Sequence, residues 1–469
     1  MPPKTSCQHT KLHLSTSPHA AEAGYTHPAP SVLSKATTTA RKITASIPQP
    51  TTFPAPLVLP NDDLSIDPKY PPQSLLSWKR LKERNPITSI RNKIYYLNLP
   101  VRSSDAPDFQ RWAIPIDPET KSQVCGTPSP EWEDVVNYLS TFFHPLELVE
   151  YPSITAISKW SSKSKFLALS TSSSRSAVQL RTRPSPDGPE SSCYTHQLSL
   201  LDILDFAIEI LPGDAYTLIV FTHHDLYESD EDDFCIGRAF GGSRVCVVSS
   251  ARYHPFSEQL AGVGCDEFGG KGHDWPGSHC AEFVQRMCQG SEEPSREKQK
   301  TKITKDPKVT GHSPENTPMY RAIAAHISEN SVVKHHEYQR SIWLSRICKT
   351  ASHELLHCFG LDHCTYYACV MQGTTSILED TRQPFYLCPI DQAKLKEALA
   401  GRDGNIGKLS KEQWELEWCN RMRIYCGEIV NRDISVGWRP IIAWLEGRIE
   451  ELEGGSGTAG TKEDPIEVE

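Results

Sequence analysis

The sequence lacks any long hydrophobic run. No segment approaches the roughly 18 consecutive apolar residues of a membrane-spanning helix, and no apolar stretch of about 7–15 residues opens the chain as a secretory signal does. The sequence also lacks a basic surplus, because its formal net charge is −9, and this argues against nucleic acid as the main partner. We therefore expect an intracellular protein, in the cytoplasm and/or the nucleus, that works without a membrane.

Apolar periodicity is missing from both ends of the chain and from one internal stretch. Residues 1–65 are rich in Pro, Ser and Thr and are predicted to be disordered, and residues 451–469 are predicted to form a flexible acidic tail. Residues 291–317 are charged and polar, which predicts a flexible loop inside a longer insertion over 256–335. The rest of 66–450 is long enough to bury the core of one globular domain.

Cysteine, in contrast, is plentiful, with 15 residues in a chain of 469. Disulfides are rare in a reducing compartment, so these thiols favour metal binding. The insertion contains a scattered set of cysteines and histidines, namely Cys265, His273, His279, Cys280 and Cys288. Their spacing is wider than that of zinc knuckles, and the sequence of the insertion therefore does not predict a metal site.

The most informative segment reads HELLHCFGLDH and begins at His353. An α-helix turns by about 100° per residue, so His353 and His357 lie on one face and can bind one metal ion. Gly360 can adopt a backbone conformation that other residues avoid, which allows the helix to end and His363 to return as a third ligand. Three protein ligands leave one tetrahedral position for water, and Glu354 is placed to act on that water as a general base.

The residues before this motif support the helix. Apolar side chains recur at steps of three and four residues, as expected of a buried helical stripe. The stripe consists of Leu344, Ile347, Cys348, Ala351, Leu355 and Cys358. His353 and His357 lie roughly opposite the stripe and can face a cleft.

The residues after the motif resemble those of the archaemetzincins, a branch of the metzincin zinc proteases. Cys364 directly follows the third histidine, and Cys369, Met371 and Cys388 come next along the chain. The resemblance implies that Met371 forms the Met-turn, which packs beneath the metal-binding histidines. It also implies a second, structural zinc ion, which the archaemetzincins hold with four cysteines.

This sequence departs from the archaemetzincin pattern in two places. The gap between Met371 and Cys388 is 16 residues, one fewer than in the family, and Asp391 stands where the fourth cysteine is expected. A carboxylate is an acceptable zinc ligand, so Asp391 can complete a set with the three cysteines. Asp391 also precedes a helical pattern over 392–399, where an aspartate commonly serves as the N-cap. Both interpretations of Asp391 stay open at this point.

Upstream of the motif the patterns predict a mixed α/β region. Residues 216–221 form a short apolar run typical of a buried strand, and two further strands, Cys235–Phe240 and Arg244–Ser249, flank a glycine turn. In the metzincins the strand at this place lies at the edge of the sheet and pairs with extended substrate, so the resemblance makes Cys235–Phe240 the candidate for that role. The alternative is an ordinary strand of the sheet without contact to substrate. Residues 223–225, His-His-Asp, are predicted to be capping or solvated polar residues rather than metal ligands.

The sequence therefore predicts an α/β, metzincin-like zinc peptidase with a twisted mixed sheet, an active-site helix and a small C-terminal subdomain beyond Gly360. The catalytic domain is expected to cover 66–450 and to hydrolyse peptides or proteins with a zinc-activated water, with two zinc ions per chain. The alternative is a zinc-binding scaffold or interaction protein with weak catalysis, against which the intact Glu354 argues.

Overall fold

The computed structural model describes most of the chain. The described residues are 7, 9, 11–40, 48–99, 107–124, 127–152, 154–161, 164–171, 178–186, 193–260, 272–289, 314–329, 335–401, 403–432 and 437–456. The predictions made for residues 291–313, for Cys265 and for residues 457–469 lie outside them. None of the described helices combines the length and the apolar character that a bilayer span needs.

A five-stranded mixed sheet lies at the centre of the fold. In chain order the strands are β1 Lys93–Asn98, β2 Glu147–Glu150, β3 Ile154–Ser161, β4 Ser164–Thr171, β5 Val178–Leu180, β6 Thr182–Pro184, β7 His196–Ser199, β8 Ala215–Thr222, β9 Asp225–Tyr227, β10 Gly237–Phe240 and β11 Val245–Ser249. The central sheet has the order β10-β11-β8-β1-β2, and its strands are parallel except β10, which runs antiparallel to β11 at one edge. Two three-stranded sheets have the orders β3-β4-β5 and β6-β7-β9. The mixed sheet confirms the predicted fold class.

The helices connect and cover these strands. In chain order they are α1 Pro18–Ala23, α2 Pro30–Ala36, α3 Asp63–Ile66, α4 Leu75–Lys79, α5 Pro107–Trp112, α6 Trp132–Phe142, α7 Leu200–Ile210, α8 Pro255–Leu260, α9 Ala281–Gln289, α10 Pro318–Glu329, α11 His335–Cys358, α12 Ile377–Asp380, α13 Pro389–Ala400, α14 Gly404–Lys408, α15 Lys411–Val430 and α16 Trp438–Ser456. The longest described helix is α11, which carries the first two histidines of the motif.

Helices pack on both faces of the central sheet. Successive residues of a strand point to opposite sides, so the side chains of β8 divide between two cores. Ile219 and Phe221 lie in the core that contains the buried stripe of α11, whereas Leu218 and Val220 lie in the core that contains α7. Every residue of β8 is buried, as expected of a parallel strand covered on both sides. The sheet therefore provides a rigid support for α11.

The C-terminal helices complete the core around α11. α15 begins with a capping box, in which Ser410 Oγ accepts from Gln413 N and Gln413 Oε1 accepts from Ser410 N. α15 packs on α6 and α16, and α16 packs on α10, which belongs to the insertion. The described part of the insertion is thus joined to the core through α10.

The N-terminal region is where the structure differs most from the prediction. The sequence predicts disorder over 1–65, yet α1 and α2 form there and Phe53 is buried against Trp444. The hydroxyl of Tyr25 also donates a hydrogen bond to Thr365 O at 2.6 Å. The region has too few apolar residues for a core of its own, which is why its composition predicts disorder. Leu33, Ala36 and Phe53 pack into the main core, which the rest of the chain supplies. A small cluster formed within the region itself consists of Ala20, Tyr25, Val58 and Leu64.

Candidate metal centres and active-site cleft

Three histidines converge at the end of α11, and we call them the histidine cluster. His353 and His357 lie one turn apart, and their Nε2 atoms are 3.0 Å apart. Gly360, with a φ of 81°, ends the helix in the left-handed conformation, and the chain returns so that the ring of His363 faces both. One nitrogen of each ring lies within 4.8 Å of the others. Ligands about 2.0–2.1 Å from a tetrahedral zinc ion lie roughly 3.3 Å apart, so the cluster fits zinc with small ring movements.

Main-chain hydrogen bonds orient two of these rings. His353 Nδ1 lies 2.7 Å from Val370 O, and His357 Nδ1 lies 2.7 Å from Leu361 O. A carbonyl oxygen only accepts, so both Nδ1 atoms carry the proton and both Nε2 atoms keep a free lone pair. Burial lowers the pKa of His357 and of His363 to about 4, and it lowers the pKa of His353 well below its usual range. The rings are therefore neutral at pH 7, as metal binding requires.

Glu354 lies beside the histidine cluster and directly against β10. It is buried, and a Cβ built on Gly237 would lie 3.0 Å from Glu354 Oε1. The glycine therefore lets the strand pass close to the carboxyl group. Burial raises the pKa of Glu354 to about 8, with a lowering contribution from Arg238 and a raising one from Glu228. A carboxyl group with this pKa exchanges a proton near neutral pH.

These groups line an open cleft of about 590 Å³. β10 contributes Arg238, and the N-terminal segment contributes Tyr70, whose ring centroid lies 5.7 Å from that of His363. Nearby, Gln73 Nε2 donates to Gly360 O at 3.0 Å. Arg238 lies in the strand Cys235–Phe240 that the resemblance makes the candidate for substrate pairing, whereas Tyr70 was not predicted, because nothing in its local sequence marks it and only the fold brings it to the motif.

A carboxyl group from the N-terminal segment also approaches the third histidine. Asp63 Oδ2 and His363 Nδ1 both lie close to Gly373. A Cβ built on this glycine would collide with Asp63 Oδ2 and would lie 2.8 Å from His363 Nδ1. The main-chain N–H of Asp63 donates to both carboxyl oxygens of Glu379, at 3.0 and 2.9 Å, and this holds the segment in place. Part of the region predicted to be disordered thus reaches a candidate metal ligand.

The loop after His363 folds back onto α11. Cys364 N donates to Met371 O at 2.6 Å, and Met371 is fully buried. Val370, next to it, accepts the hydrogen bond from His353. The loop that contains Met371 is therefore tied directly to the histidine cluster.

Three cysteines and an aspartate form a second group, which we call the cysteine cluster. Cys364 Sγ and Cys388 Sγ are 3.6 Å apart, and Asp391 Oδ2 lies 3.3 Å from the Sγ atoms of Cys369 and Cys388. Thiolates about 2.3 Å from a tetrahedral zinc ion lie roughly 3.8 Å apart, so the sulfur spacing fits zinc. Each member of the cluster is at most 5% exposed. The donor set is therefore closed to solvent.

Asp391 is not an N-cap. α13 begins at Pro389 with Cys388 as its N-cap residue, which puts Asp391 at the third helical position. Asp391 Oδ1 accepts from Lys394 Nζ at 2.7 Å, while Oδ2 faces the cysteines. Lys394 is itself buried. The N-cap interpretation is therefore wrong, and the carboxyl group stands at the fourth corner of the cysteine cluster.

The His-His-Asp run at 223–225 has protein partners, and its last two residues are buried. His224 Nε2 lies 2.9 Å from Phe109 O, and Asp225 Oδ2 accepts from Arg252 Nη2 at 2.6 Å. His224 and Asp225 are fully buried. These two are structural polar residues of the interior, and the expectation of solvated residues is wrong for them.

The comparisons with known proteins agree with this geometry. A family model described as Peptidase family M54 matches residues 319–397, a range that contains both clusters. Archaemetzincin-2 of Homo sapiens is 30% identical over 209 residues, which cover 44% of this chain and 43% of that protein. Archaemetzincin-1 of Homo sapiens is 26% identical over 226 residues, which cover 48% and 34%. The chain thus spans less than half the length of these relatives.

Solved structures show a more distant likeness. The archaemetzincin of Methanopyrus kandleri is 15% identical with a TM-score of 0.30, covering 66% of this chain and 97% of that one. The archaemetzincin of Archaeoglobus fulgidus is 16% identical with a TM-score of 0.27, covering 64% and 99%. The family model and the curated relatives confirm the predicted resemblance to the archaemetzincins, a family of zinc metallopeptidases.

Proposed function

We propose that the chain is a zinc-dependent metallopeptidase that hydrolyses peptide bonds in peptides or proteins. The observation that carries the proposal is the convergence of ring nitrogens from His353, His357 and His363, beside Glu354, in an open cleft. Three protein ligands with a fourth position facing solvent are the arrangement of catalytic zinc sites. The resemblance to a zinc metallopeptidase family supports the same conclusion.

The histidine cluster and Glu354 have different roles in the proposed hydrolysis. Zinc in the histidine cluster would lower the pKa of water, polarise a carbonyl group and favour the carboxylate form of Glu354. Glu354 accepts a proton from the attacking water and then gives it to the nitrogen of the leaving amine. The Nδ1 hydrogen bonds of His353 and His357 keep their rings oriented during this exchange.

The free edge of β10 is the proposed substrate-binding strand. Among the described strands, β10 pairs only with β11, so its other edge offers main-chain N–H and C=O groups, and β10 residues line the cleft. An extended peptide can add to such an edge as one more strand. The close approach of Gly237 to Glu354 would place the backbone of that peptide beside the general base.

The cysteine cluster is proposed to hold a second, structural zinc ion. Three thiolates and the carboxylate of Asp391 would carry four negative charges against two positive charges on the ion. Lys394, buried and ion-paired with Asp391, offsets part of the excess. A buried lysine needs a negative partner, and the assembled cluster supplies one.

An intracellular location, in the cytoplasm and/or the nucleus, is also proposed. The thirteen cysteines of the described residues are free thiols. Thiols persist in reducing compartments, where disulfides are rare. A reducing environment would also keep the cysteine cluster able to bind zinc.

The test is the Glu354→Gln variant, assayed with a mixed peptide library. Glutamine keeps the size of the side chain but cannot accept the proton, so hydrolysis should fall by at least about 100-fold. The zinc content should stay the same, because Glu354 is not one of the ligands. Glu83→Gln is the matched control, since Glu83 is an exposed carboxylate at the rim of the same cleft and its loss should change hydrolysis far less.

Two results would contradict the proposal. Undiminished hydrolysis by Glu354→Gln would remove Glu354 from the mechanism. A zinc-loaded wild-type chain that cleaves no peptide in the library would favour the scaffold alternative.

A further inference from the structure

A third group of metal-binding side chains lies outside the cleft, and we call it the N-terminal cluster. Cys7, His9 and Cys280 each offer one ligand atom, and the three atoms lie within 4.8 Å of one another. The Sγ atoms of Cys7 and Cys280 are 2.7 Å apart, although the two residues are separated by 273 positions in the sequence. Cys280 is 1% exposed and His9 is 8% exposed. The fold has therefore gathered soft donor atoms in a buried place.

His9 is the member that points to a ligand. Its Nε2 is buried and has no hydrogen-bond partner among the described residues. A buried polar atom without a partner is unfavourable and uncommon in folded proteins. His9 also has a φ of 54°, a left-handed conformation that few residues other than glycine adopt. A metal ion bound by the ring would give the buried imidazole the partner it lacks.

Main-chain hydrogen bonds hold the two parts of the cluster together. Ala281 N donates to Lys11 O at 2.8 Å, and His13 N donates to His279 O at 2.5 Å. An antiparallel bridge joins the two segments at Cys280, and α9 begins at the next residue. The thiol of Cys280 is therefore held at a defined place against the N-terminal segment.

We propose that Cys7, His9 and Cys280 bind a zinc ion, separate from the ions proposed for the histidine cluster and the cysteine cluster. Thiolate and imidazole are the donors that zinc prefers in structural sites. The exposed carboxylate of Glu282 is the nearest candidate for a fourth ligand, because its Oε2 lies 3.4 Å from Cys7 Sγ. The proposed site thus has two sulfur donors and one nitrogen donor, and its fourth position lies on the solvent side, within reach of Glu282 or water.

A disulfide between Cys7 and Cys280 explains the cluster less well. The sulfur separation of 2.7 Å is longer than the roughly 2.05 Å of a disulfide and shorter than the roughly 3.8 Å between two thiolates on one zinc ion. The distance alone therefore favours neither. A disulfide leaves the buried ring nitrogen of His9 without a partner, whereas a zinc ion engages the ring.

Zinc in the N-terminal cluster fastens the N-terminal segment to the insertion. Leu57 of that segment packs with Phe283 of α9 in the same small core. Further along the chain, Asp63 lies near His363 beside Gly373, and Tyr70 lies beside His363 in the cleft. Removal of this zinc ion should loosen the segment before the main core unfolds.

The test is the zinc content of the full-length chain, purified with a reducing agent. His9→Gln and Cys280→Ser should each contain one zinc ion fewer than the wild type. Cys288→Ser is the control, because it removes a half-buried cysteine of α9 that lies outside the cluster and should leave the zinc content unchanged. The readout is a difference of one ion between variant and wild type, so it does not depend on how fully the two other clusters are loaded.

Thiol labelling of the wild type extends the test to a chain without substitutions. Alkylation of Cys7 and Cys280 should be slow while zinc is bound and should become fast after a chelator is added. Limited proteolysis should also cut the N-terminal segment faster in His9→Gln than in Cys288→Ser. If Cys280→Ser does not fold, His9→Gln and the labelling experiment still decide the question.

Three outcomes would overturn the proposal. The first is an equal zinc content in the wild type, His9→Gln and Cys288→Ser. The second is alkylation of Cys7 and Cys280 at the same rate with and without a chelator. The third is recovery of the two cysteines as a disulfide-linked peptide that only a reductant, and not a chelator, makes reactive.

Discussion

The histidine cluster and the cysteine cluster come from one stretch of chain, residues 353–391, but they meet solvent differently. The histidine cluster opens onto a cleft of about 590 Å³, and two of its three rings are partly exposed. Every member of the cysteine cluster is at most 5% exposed. An open set of three ligands suits catalysis, and a closed set of four suits a structural role. The two clusters are close in the sequence, but their different solvent exposure distinguishes the two proposed roles.

The two clusters also differ in charge. The three imidazoles are neutral and leave the full charge of a bound ion available to act on water or on a carbonyl group. Three thiolates and a carboxylate would cancel that charge, and Lys394 lies next to them as a counter-ion. The neutral imidazoles, which preserve the Lewis acidity of zinc, therefore lie in the cleft. The anionic thiolates and carboxylate, which suppress that acidity, lie in the core.

The largest effect on peptide hydrolysis should come from His363→Ala, which removes a ligand from the histidine cluster. Only two ligands would remain, so peptide hydrolysis should be abolished and the zinc of the histidine cluster partly or wholly lost. The zinc of the cysteine cluster and the unfolding temperature should stay close to those of the wild type. Zinc analysis, a hydrolysis assay and calorimetry on one preparation measure all three. Full activity with full zinc content would show that His363 is not a ligand.

Cys388→Ala should instead act on stability, because it removes a thiolate from the closed cluster. The binding free energy of a structural ion is folding free energy, so one zinc ion should be lost and the unfolding temperature should fall by about 5 °C or more. Cys426→Ala is the control, since it removes a buried cysteine that lies outside the clusters and should leave the zinc content unchanged. An unchanged zinc content in Cys388→Ala would argue against the second site.

Substitutions of Asp391 test whether its carboxylate is the fourth zinc ligand of the cysteine cluster. Asp391→Ala should weaken zinc binding at this site by at least about tenfold, measured by competition with a chelator. Asp391→Cys should bind at least as tightly as the wild type, because thiolate is a good zinc donor. Equal zinc retention by Asp391→Ala and the wild type would leave three thiolates completed by another group.

The smallest effect is expected for Lys394→Met, which changes only the charge beside the closed cluster. Methionine keeps much of the volume but removes the ammonium group from Asp391, so zinc affinity should fall by about tenfold, on the scale of residues that orient metal ligands. Lys396→Met on the same helix is the control and should have no effect on zinc. Identical affinities for the two variants would mean that Lys394 does not support the site.

Several features of the fold follow from local sequence patterns. The apolar run at 216–221 predicted β8, and the glycine turn after Cys235–Phe240 predicted the hairpin that β10 and β11 form at the sheet edge. The choice between ligand and N-cap for Asp391 was not predictable in the same way. It depends on the residue at which α13 begins, and helix boundaries shift by one or two residues for reasons that a pattern does not contain.

The sequence by itself determined the relative placement of His353, Glu354 and His357, because the repeat of an α-helix sets the positions of nearby residues whatever surrounds them. Only the tertiary structure decided which distant residues join them. Tyr70 reaches the cleft, Asp63 lies near His363, and Cys7 meets Cys280, through packing between segments that share no local pattern. The order of the N-terminal region has partly the same origin, since Leu33, Ala36 and Phe53 pack into a core that the rest of the chain builds.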